Sequence, residues 1–297
     1  MSPEDEPQSF LHPGAVRKLI EVLKTHPDHQ YVISTHSPTI ITAARPETII
    51  LLKHDGNESR LEHLDGKEAG QLRKYLDEIG ASLADVFGAD GIIWVEGLTE
   101  EKCYPLIIEG ILKRSLMGKV IKAAIATGDF EGRHAERFLE IYNRLSGAQS
   151  LIPPAVAFLF DDEGRTETDK KILERLGKGM VRFTQRRMYE NYLLDTQAIA
   201  AVLNTKEGHV KQISETEIQE FIDNCLDDPK YFKPLDMNRG INWIRADVVL
   251  KDVFWKAAEL EFRKTTHSVE LTKWFIDNAP EKLKEISDVI GDALGFR

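Results

Sequence analysis

The chain has 297 residues, of which 42% are hydrophobic and 30% are charged, and its formal net charge is −10. This length is enough for about two domains with cores of their own, and the sequence contains no run of about 18 apolar residues that would predict a membrane span. The negative charge disfavours a protein that coats nucleic acid broadly. It is compatible with a metal-dependent nuclease, because divalent cations allow clustered carboxylates to approach phosphate.

The cysteine content and the N-terminal segment both favour a cytoplasmic protein. Cys103 and Cys225 are the only cysteines, and their wide separation matches no zinc-binding pattern. We therefore expect both thiols to be reduced and structural, as in cytosolic proteins. The segment MSPEDEPQSF lacks the basic and then apolar pattern of a secretory signal.

The first 54 residues predict part of an α/β sheet. A helix is expected over 15–24, a buried strand in YVIST (31–35), and a second strand in TIILL (48–52) that the turn sequence HDGN closes. His36 follows the first of these strands directly, at the position where open α/β folds place ligand-binding groups.

Three motifs in this segment resemble, in the same order, those of the C-terminal half of an ABC-type ATPase domain. Asp5 and Glu6 match the Walker B acids, SFLHP (9–13) matches the D-loop region, and His36 in STHSP matches the switch histidine. The resemblance implies that Asp5 helps to hold Mg²⁺, that Glu6 polarises the attacking water and that His36 senses the γ-phosphate. The alternative is a solvated acidic pair and a polar residue at a strand end.

The phosphate-binding part of such an ATPase is missing from the sequence. There is no G-x-x-x-x-G-K-[ST] loop, no ABC signature and no apolar strand before Asp5. We therefore expect no ATP hydrolysis by this chain alone. We expect the chain to be the C-terminal portion of a longer protein that binds ATP and forms a homodimer through its ATPase domain.

A helical connector and then an alternating pattern follow. Residues 66–90 place leucine and isoleucine at helical spacing. Beyond them, the predicted elements are strands over 91–96, 120–126 and 155–163 and helices over 98–114 and 131–146. Strands that alternate with helices predict a parallel sheet flanked by helices.

Two of these predicted strands end on acidic residues. Glu96 follows the first strand, and Asp161, Asp162 and Glu163 close the third. Because parallel strands share a C-terminal edge, we expect these acids at one rim of the sheet, with Glu100 on the next helical turn facing it. Crowded carboxylates repel each other by several kcal/mol, and Mg²⁺ or Mn²⁺ relieves this by taking oxygen ligands. The sequence therefore predicts a divalent metal site; the alternative for each acid alone is a solvated cap or loop residue.

Glu96 in VEGLTE and Asp161 in FLFDDEG resemble the paired acidic motifs of the Toprim domain, which topoisomerases, bacterial primases and OLD-family nucleases share. The second motif of that domain is D-x-D, whereas here Asp162 and Glu163 follow Asp161. Glu163 keeps the spacing of two, so we prefer it over Asp162 as the inward-facing acid. An ABC-type ATPase half followed by a Toprim domain resembles the OLD (overcoming lysogenisation defect) family of ATPase-coupled nucleases, which implies a role in defence against phage.

Two later segments are also similar to OLD-family sequences. RRMYENYLLD resembles the segment after the Toprim core, which implies Glu190 as a further metal ligand. FRKTTH resembles a C-terminal segment whose lysine, here Lys264, lies near the scissile phosphate. From the residues alone, Glu190 could equally accept a hydrogen bond from Arg186 or Arg187, and Lys264 could be an ordinary surface cation.

The expected architecture is an α/β fold with a Toprim-type parallel sheet, a helical insertion and an N-terminal ATPase fragment. The expected parts are the ATPase fragment (1–54), the connector (55–90), the Toprim core (91–198), the helical insertion (199–258) and a C-terminal segment that completes the site (259–297). Trp243, Trp255 and Trp274 are expected to anchor the helical core rather than to stack on bases.

The function that follows is cleavage of a DNA phosphodiester by two Mg²⁺ or Mn²⁺ ions. The predicted metal ligands are Glu96, Glu100, Asp161, Asp162, Glu163 and Glu190. The predicted catalytic residues are Glu96, Asp161, Glu163 and Lys264, of which Lys264 neutralises developing charge. Nucleic acid is expected to approach over Arg133, Arg165, Arg186 and Arg187.

Other protein classes fit the sequence less well. A non-catalytic Toprim-like module that binds nucleic acid or a partner protein, with structural Mg²⁺, is the alternative. Nothing in the sequence marks the tyrosine nucleophile that a topoisomerase needs, although a primase would share the acids. An α/β-hydrolase is disfavoured because the chain has no G-x-S-x-G motif.

Overall fold

The structure is a computed structural model, and it describes only part of the chain. The described residues are 2–5, 13–35, 40, 44, 46, 48–54, 58–65, 91–116, 118–124, 134–145, 155–205, 212–233 and 239–296. The residues that lie outside these ranges include Glu6, residues 9–12 of the D-loop region, His36, the connector residues 66–90 and Arg133.

The described ranges contain the following elements. The strands are β1 (Ser2–Asp5), β2 (Tyr31–Ser34), β3 (Thr48–His54), β4 (Ser59–Asp65), β5 (Gly91–Val95), β6 (Lys119–Ala123), β7 (Ala155–Phe160) and β8 (Val181–Phe183). The α-helices are α1 (Pro13–Lys24), α2 (Leu98–Gly110), α3 (His134–Leu145), α4 (Glu167–Leu176), α5 (Thr196–Asn204), α6 (Glu215–Asp227), α7 (Ala246–Ala258), α8 (Lys264–Asn278) and α9 (Lys284–Leu294). Short 3₁₀ helices lie at Tyr189–Tyr192, Pro229–Tyr231 and Pro280–Leu283.

The N-terminal strands form two small pairs. β1 runs parallel to β2, with Asp5 opposite Ser34, and β3 pairs with β4 in an antiparallel hairpin. Helix α1 and strands β2 and β3 were predicted and are confirmed as elements, but the expectation that β2 is buried is wrong, since Val32 is 42% exposed. β1 and β4 were not predicted, because the sequences SPED and SRLEHLD lack an apolar run; backbone pairing with a neighbour makes these segments strands.

The site lies on a third sheet, which has four strands. Its strand order is β6-β5-β7-β8, and every neighbouring pair is parallel. The predicted parallel α/β sheet is therefore confirmed. β7 ends at Phe160 rather than at 163, so Asp161 and the two acids after it belong to the loop at the carboxyl edge of the sheet.

Alternation along the strands buries both faces of this sheet. Ile92 and Trp94 point to one face and pack with α3, where the Trp94 and Phe138 rings meet edge to face at 5.2 Å. Ile93 and Val95 point to the other face, into a larger core that also contains apolar residues of α2 and of α5 to α9. Such two-sided burial is typical of parallel sheets covered by helices.

The helices of the predicted insertion share this larger core. Ile199 of α5, Ile222 of α6 and Phe254 of α7 are fully or almost fully buried in it. Of the three tryptophans expected in the helical core, Trp274 packs edge to face on Phe275, whereas Trp255 is 62% exposed. The expectation of a core anchor is therefore wrong for Trp255. No described helix is long and apolar enough to cross a membrane.

Candidate active site

Glu96 and Asp161 lie side by side at the carboxyl edge of the sheet. Their strands β5 and β7 are neighbours, with Val95 in register with Leu159. The Asp161 backbone N–H donates a hydrogen bond to Glu96 Oε2 at 2.9 Å. The two acids that the sequence placed at strand ends are thus in direct contact.

Glu100 approaches the same edge from the first turn of α2. It is 5% exposed, and its Oε2 has no hydrogen-bond partner among the described residues. Glu101, the next residue, turns toward β6 instead and accepts hydrogen bonds from the Ala123 backbone N–H at 2.7 Å and from Lys122 at 3.0 Å. Of the two carboxylates in the first turn of α2, that of Glu101 therefore binds β6 and that of Glu100 lies at the site.

The carboxylates at this edge raise one another's pKa. Burial is the largest cause of the raised pKa of Glu96, Glu100 and Asp161. It raises the pKa of Glu96 to about 7 against the opposing effect of Arg165. It raises the pKa of Glu100 to about 8, with Glu190 as the next cause, and lifts the pKa of Asp161 well above its ordinary value, with Glu100 next. We refer to Glu96, Glu100, Asp161, Glu163 and Glu190 as the acidic cluster.

The turn after β7 separates Asp162 from Glu163. Asp162 is buried on the side of α4, where it pairs with Lys170; its N–H donates to Thr184 Oγ1 at 3.0 Å. Glu163 has a left-handed backbone with φ of 51°, which costs a non-glycine residue about 1 kcal/mol. The negative charge of Glu163 raises the pKa of both Glu96 and Asp161. Glu163, which the spacing favours, therefore belongs with the other acids of the cluster, and Asp162 points away from them.

Glu190 and Lys264 form an ion pair beside the cluster. Glu190 lies on the 3₁₀ helix Tyr189–Tyr192 and is buried. Lys264, the first residue of α8, places its Nζ 3.5 Å from Glu190 Oε1 and 3.7 Å from Asp247 Oδ2. Burial, the largest single cause, lowers the pKa of Lys264. The negative charges of Glu190 and Asp247, and then of Glu100 and Asp161, raise it, and the net shift is upward. Lys264 is thus held in its charged form.

Sequence reasoning missed Asp247 as a partner of Lys264. Asp247 lies in the first turn of α7, where an acid is common for helix stability alone. The signal available in the sequence was an acid at the start of a helix with an apolar stripe, and this does not reveal which cation it meets in the fold.

The three predicted arginines that the structure describes each contact other groups of the chain. Arg187 is fully buried and donates from Nη1 to the Trp243 carbonyl at 3.2 Å, so it does not present its guanidinium to a nucleic acid, contrary to prediction. Arg186 lies 3.4 Å from Glu285 and 4.3 Å above the Tyr192 ring. Arg165 lies 3.2 Å from Glu96 Oε1. The residue type gives the charge of an arginine but not its burial, so the sequence alone did not show which of these arginines are exposed.

The donor atoms of the acidic cluster are of the type that a hard divalent cation binds. Its donors are carboxylate oxygens, which Mg²⁺ and Mn²⁺ prefer, and the unpartnered Glu100 Oε2 is such an oxygen held away from water. Within the described ranges, no three His, Cys, Asp or Glu side chains are already arranged to hold a metal ion. Glu96 and Glu190 point instead to Arg165 and Lys264.

Among known proteins, the chain is similar to solved structures, and the other two comparisons found no match. No protein-family model and no curated protein matches the chain. The chain is similar to the C-terminal region of the Burkholderia pseudomallei OLD protein, at 18% identity over 69% of this chain and 98% of that one, with a TM-score of 0.40. It is also similar to the C-terminal region of the Xanthomonas campestris pv. campestris OLD protein, at 15% identity over 71% of this chain and 98% of that one, with a TM-score of 0.41. These similar structures are thus C-terminal regions of OLD proteins, the family that the motifs of this chain resemble.

Proposed function

We propose that this chain is a metal-dependent nuclease that cleaves phosphodiester bonds of DNA at the acidic cluster. Carboxylates from three separate segments, around Glu96, Asp161 and Glu190, converge on one edge of a parallel sheet, and this convergence carries the proposal. Ionised acids that are buried close together destabilise the fold, and groups with strongly raised pKa values are concentrated at functional sites. Divalent cations are the partners that make such crowding favourable.

The acidic cluster would hold two Mg²⁺ or Mn²⁺ ions. Bound there, the ions supply an activated water and neutralise charge on the reacting phosphate. Asp162 is proposed to position the turn after β7, through Lys170 and Thr184, rather than to bind metal. Lys264 is 41% exposed at the start of α8, and its ammonium is proposed to donate to a phosphate oxygen.

We further propose that an ABC-type ATPase controls this nuclease in a longer protein. ATP binding and homodimer formation through the ATPase domain would then govern access of DNA to the cluster. The parallel pairing of β1 with β2 supports this. It places the motif residue Asp5 opposite Ser34, which precedes the motif residue His36 by two positions in the chain.

Incubation with supercoiled plasmid tests the nuclease proposal directly. With Mn²⁺ or Mg²⁺ the chain is expected to convert supercoiled DNA to nicked or linear forms, and EDTA is expected to stop the conversion. Plasmid that stays supercoiled with every divalent metal, but is retained by the protein in a gel-shift assay, would identify a non-catalytic binding module instead.

Replacing Lys264 by Met is expected to lower the plasmid cleavage rate about 100-fold, because a donor aimed at developing charge contributes about that much to catalysis. The rate at saturating Mn²⁺ is the measurement. Lys273→Met is the matched control, since Lys273 is an exposed residue of the same helix. Equal losses in the two variants would assign the effect to helix α8 and not to the ammonium of Lys264.

Replacing Gly97 by Ala is expected to lower Mn²⁺ affinity and cleavage about tenfold, the effect of disturbing the support of a metal ligand. A Cβ at this position would lie 2.9 Å from Glu100 Oε2 and displace that carboxylate. The backbone at Gly97 is extended, with φ of −135°, so alanine itself is not strained there. Leu98→Ala, at the exposed neighbour, is the control, and a Gly97→Ala protein with unchanged Mn²⁺ affinity would contradict the placement of Glu100.

A further inference from the structure

Arg165 connects the two strand ends that carry the cluster. Its Nη2 lies 3.2 Å from Glu96 Oε1, and its Nη1 donates to the Asp161 backbone carbonyl. The side chains of Arg165 and Glu96 are only 10% and 11% exposed. This ion pair is therefore shielded from solvent more than an ordinary surface pair, and the charges interact correspondingly more strongly.

Both carboxylate oxygens of Glu96 are engaged by the chain itself. Oε1 meets the Arg165 guanidinium, and Oε2 accepts the Asp161 backbone N–H at 2.9 Å. A metal ligand directs an oxygen lone pair at the cation. A guanidinium at the same oxygen takes up one of its two lone pairs, and its positive charge repels the cation.

The backbone of the turn after β7 fixes Arg165 in this place. The Arg165 backbone N–H donates to the Asp162 carbonyl at 2.8 Å. Gly164, the preceding residue, has a left-handed backbone with φ of 75°. The same turn positions Glu163. Arg165 is therefore presented to the cluster by the loop that also presents two of its acids.

We infer that Arg165 is an internal counter-ion of Glu96, which a divalent cation must displace, so that Arg165 sets the metal affinity of the cluster. The inference rests on the proposed function for the identity of the metal ligands. Arg165 is thus a positioning residue. It holds Glu96 while no cation is bound, and it weakens cation binding by competing for Glu96 Oε1.

Titration with Mn²⁺ alone, followed by calorimetry or by the electron paramagnetic resonance signal of free Mn²⁺, tests the inference. Arg165→Gln is expected to bind Mn²⁺ about tenfold more tightly than the unmodified chain, which equals about 1.4 kcal/mol. Without metal, the same variant is expected to melt at a lower temperature, because it leaves Glu96 without its cation. A merely structural role for Arg165 predicts weaker Mn²⁺ binding, which is the opposite sign.

Further variants complete the test. Arg165→Lys keeps the positive charge and is expected to keep the Mn²⁺ affinity near that of the unmodified chain. If the glutamine variant fails to fold, Arg165→Met, which also removes the charge, takes its place with the same expected gain in Mn²⁺ affinity. Arg182→Gln is the matched control, since Arg182 lies on β8 and donates to the Gly179 and Val181 carbonyls; its Mn²⁺ affinity is expected to be unchanged.

Unchanged or weaker Mn²⁺ binding by Arg165→Gln overturns the inference, as does Mn²⁺ binding by none of the variants. Plasmid cleavage reports separately on the proposed function. If Arg165→Gln binds Mn²⁺ more tightly while no variant cuts DNA, the counter-ion role stands and the nuclease proposal fails. If DNA is cut but Mn²⁺ affinity does not depend on Arg165, the nuclease proposal stands and the counter-ion role fails.

Discussion

Replacing Asp161 by Asn is expected to reduce metal-dependent plasmid cleavage about 1000-fold, which corresponds to about 4 kcal/mol of transition-state stabilisation. Asparagine has nearly the same shape and keeps the backbone N–H that binds Glu96, so the fold is expected to survive. It removes one of the negative charges that would bind the cations. The measurement is the single-turnover cleavage rate at saturating Mn²⁺.

The same substitution is expected to stabilise the metal-free protein. Burial, and then the charges of Glu100 and Glu96, raise the pKa of Asp161, so a neutral amide relieves a cost that the carboxylate imposes. Loss of function with a gain in stability is typical of a site rather than of a structural residue.

Asp162→Asn is the sharpest control for this prediction. Asp162 is the next residue and equally buried, but it pairs with Lys170 and hydrogen-bonds within its own turn. Its replacement is expected to lower stability more than cleavage, because it leaves Lys170 without its carboxylate. Normal cleavage by Asp161→Asn, or a larger loss in Asp162→Asn, would contradict the assignment of the two acids.

The metal-free protein is expected to lose stability as the pH rises from about 5 to about 8. The pKa of Glu100 rises from its ordinary value of 4.5 to about 8 in the fold, chiefly through burial, and that of Glu96 rises to about 7. Between these values the folded state retains protons that the unfolded chain has released, so a higher pH favours unfolding. For Glu100 the effect is on the order of 5 kcal/mol, since a tenfold change in a dissociation constant is about 1.4 kcal/mol.

Urea denaturation in EDTA at several pH values measures this dependence. Glu100→Gln is expected to make the pH dependence shallower, because glutamine does not titrate, while Glu96 still does. Glu101→Gln, which changes the neighbouring carboxylate that binds Ala123 and Lys122, is expected to keep it. A metal-free protein that is equally stable at pH 5 and pH 8 would mean that Glu100 is not buried among other acids.

The strand ends could be predicted from the sequence because their signal is local. An apolar run that stops at Glu96, and another that stops before Asp161, require only strand periodicity and the shared edge of parallel strands. The choice of Glu163 over Asp162 followed from the family spacing. In the structure, the left-handed backbone at Glu163 turns the side chains of Asp162 and Glu163 in different directions. Amino-acid composition does not reveal such a backbone conformation.

The partners of the acids could not be predicted, because each contact joins distant segments. Lys233 approaches Glu163 to 3.5 Å, Lys264 approaches Glu190, and Asp247 adds a second acid to Lys264. No local periodicity encodes these pairs. The burial of Arg187 was missed for the same reason, since its surroundings come from a separate loop that supplies the Trp243 carbonyl.

A crystal structure of the chain soaked in Mn²⁺, with anomalous scattering used to locate the ions, tests the central claim most directly. Two peaks about 4 Å apart are expected, within ligand distance of Glu96 and Asp161 and with Arg165 turned away from Glu96. Mn²⁺ peaks elsewhere in the molecule, or none while Glu96 remains paired with Arg165, would contradict the assignment of this sheet edge as a metal-dependent cleavage site.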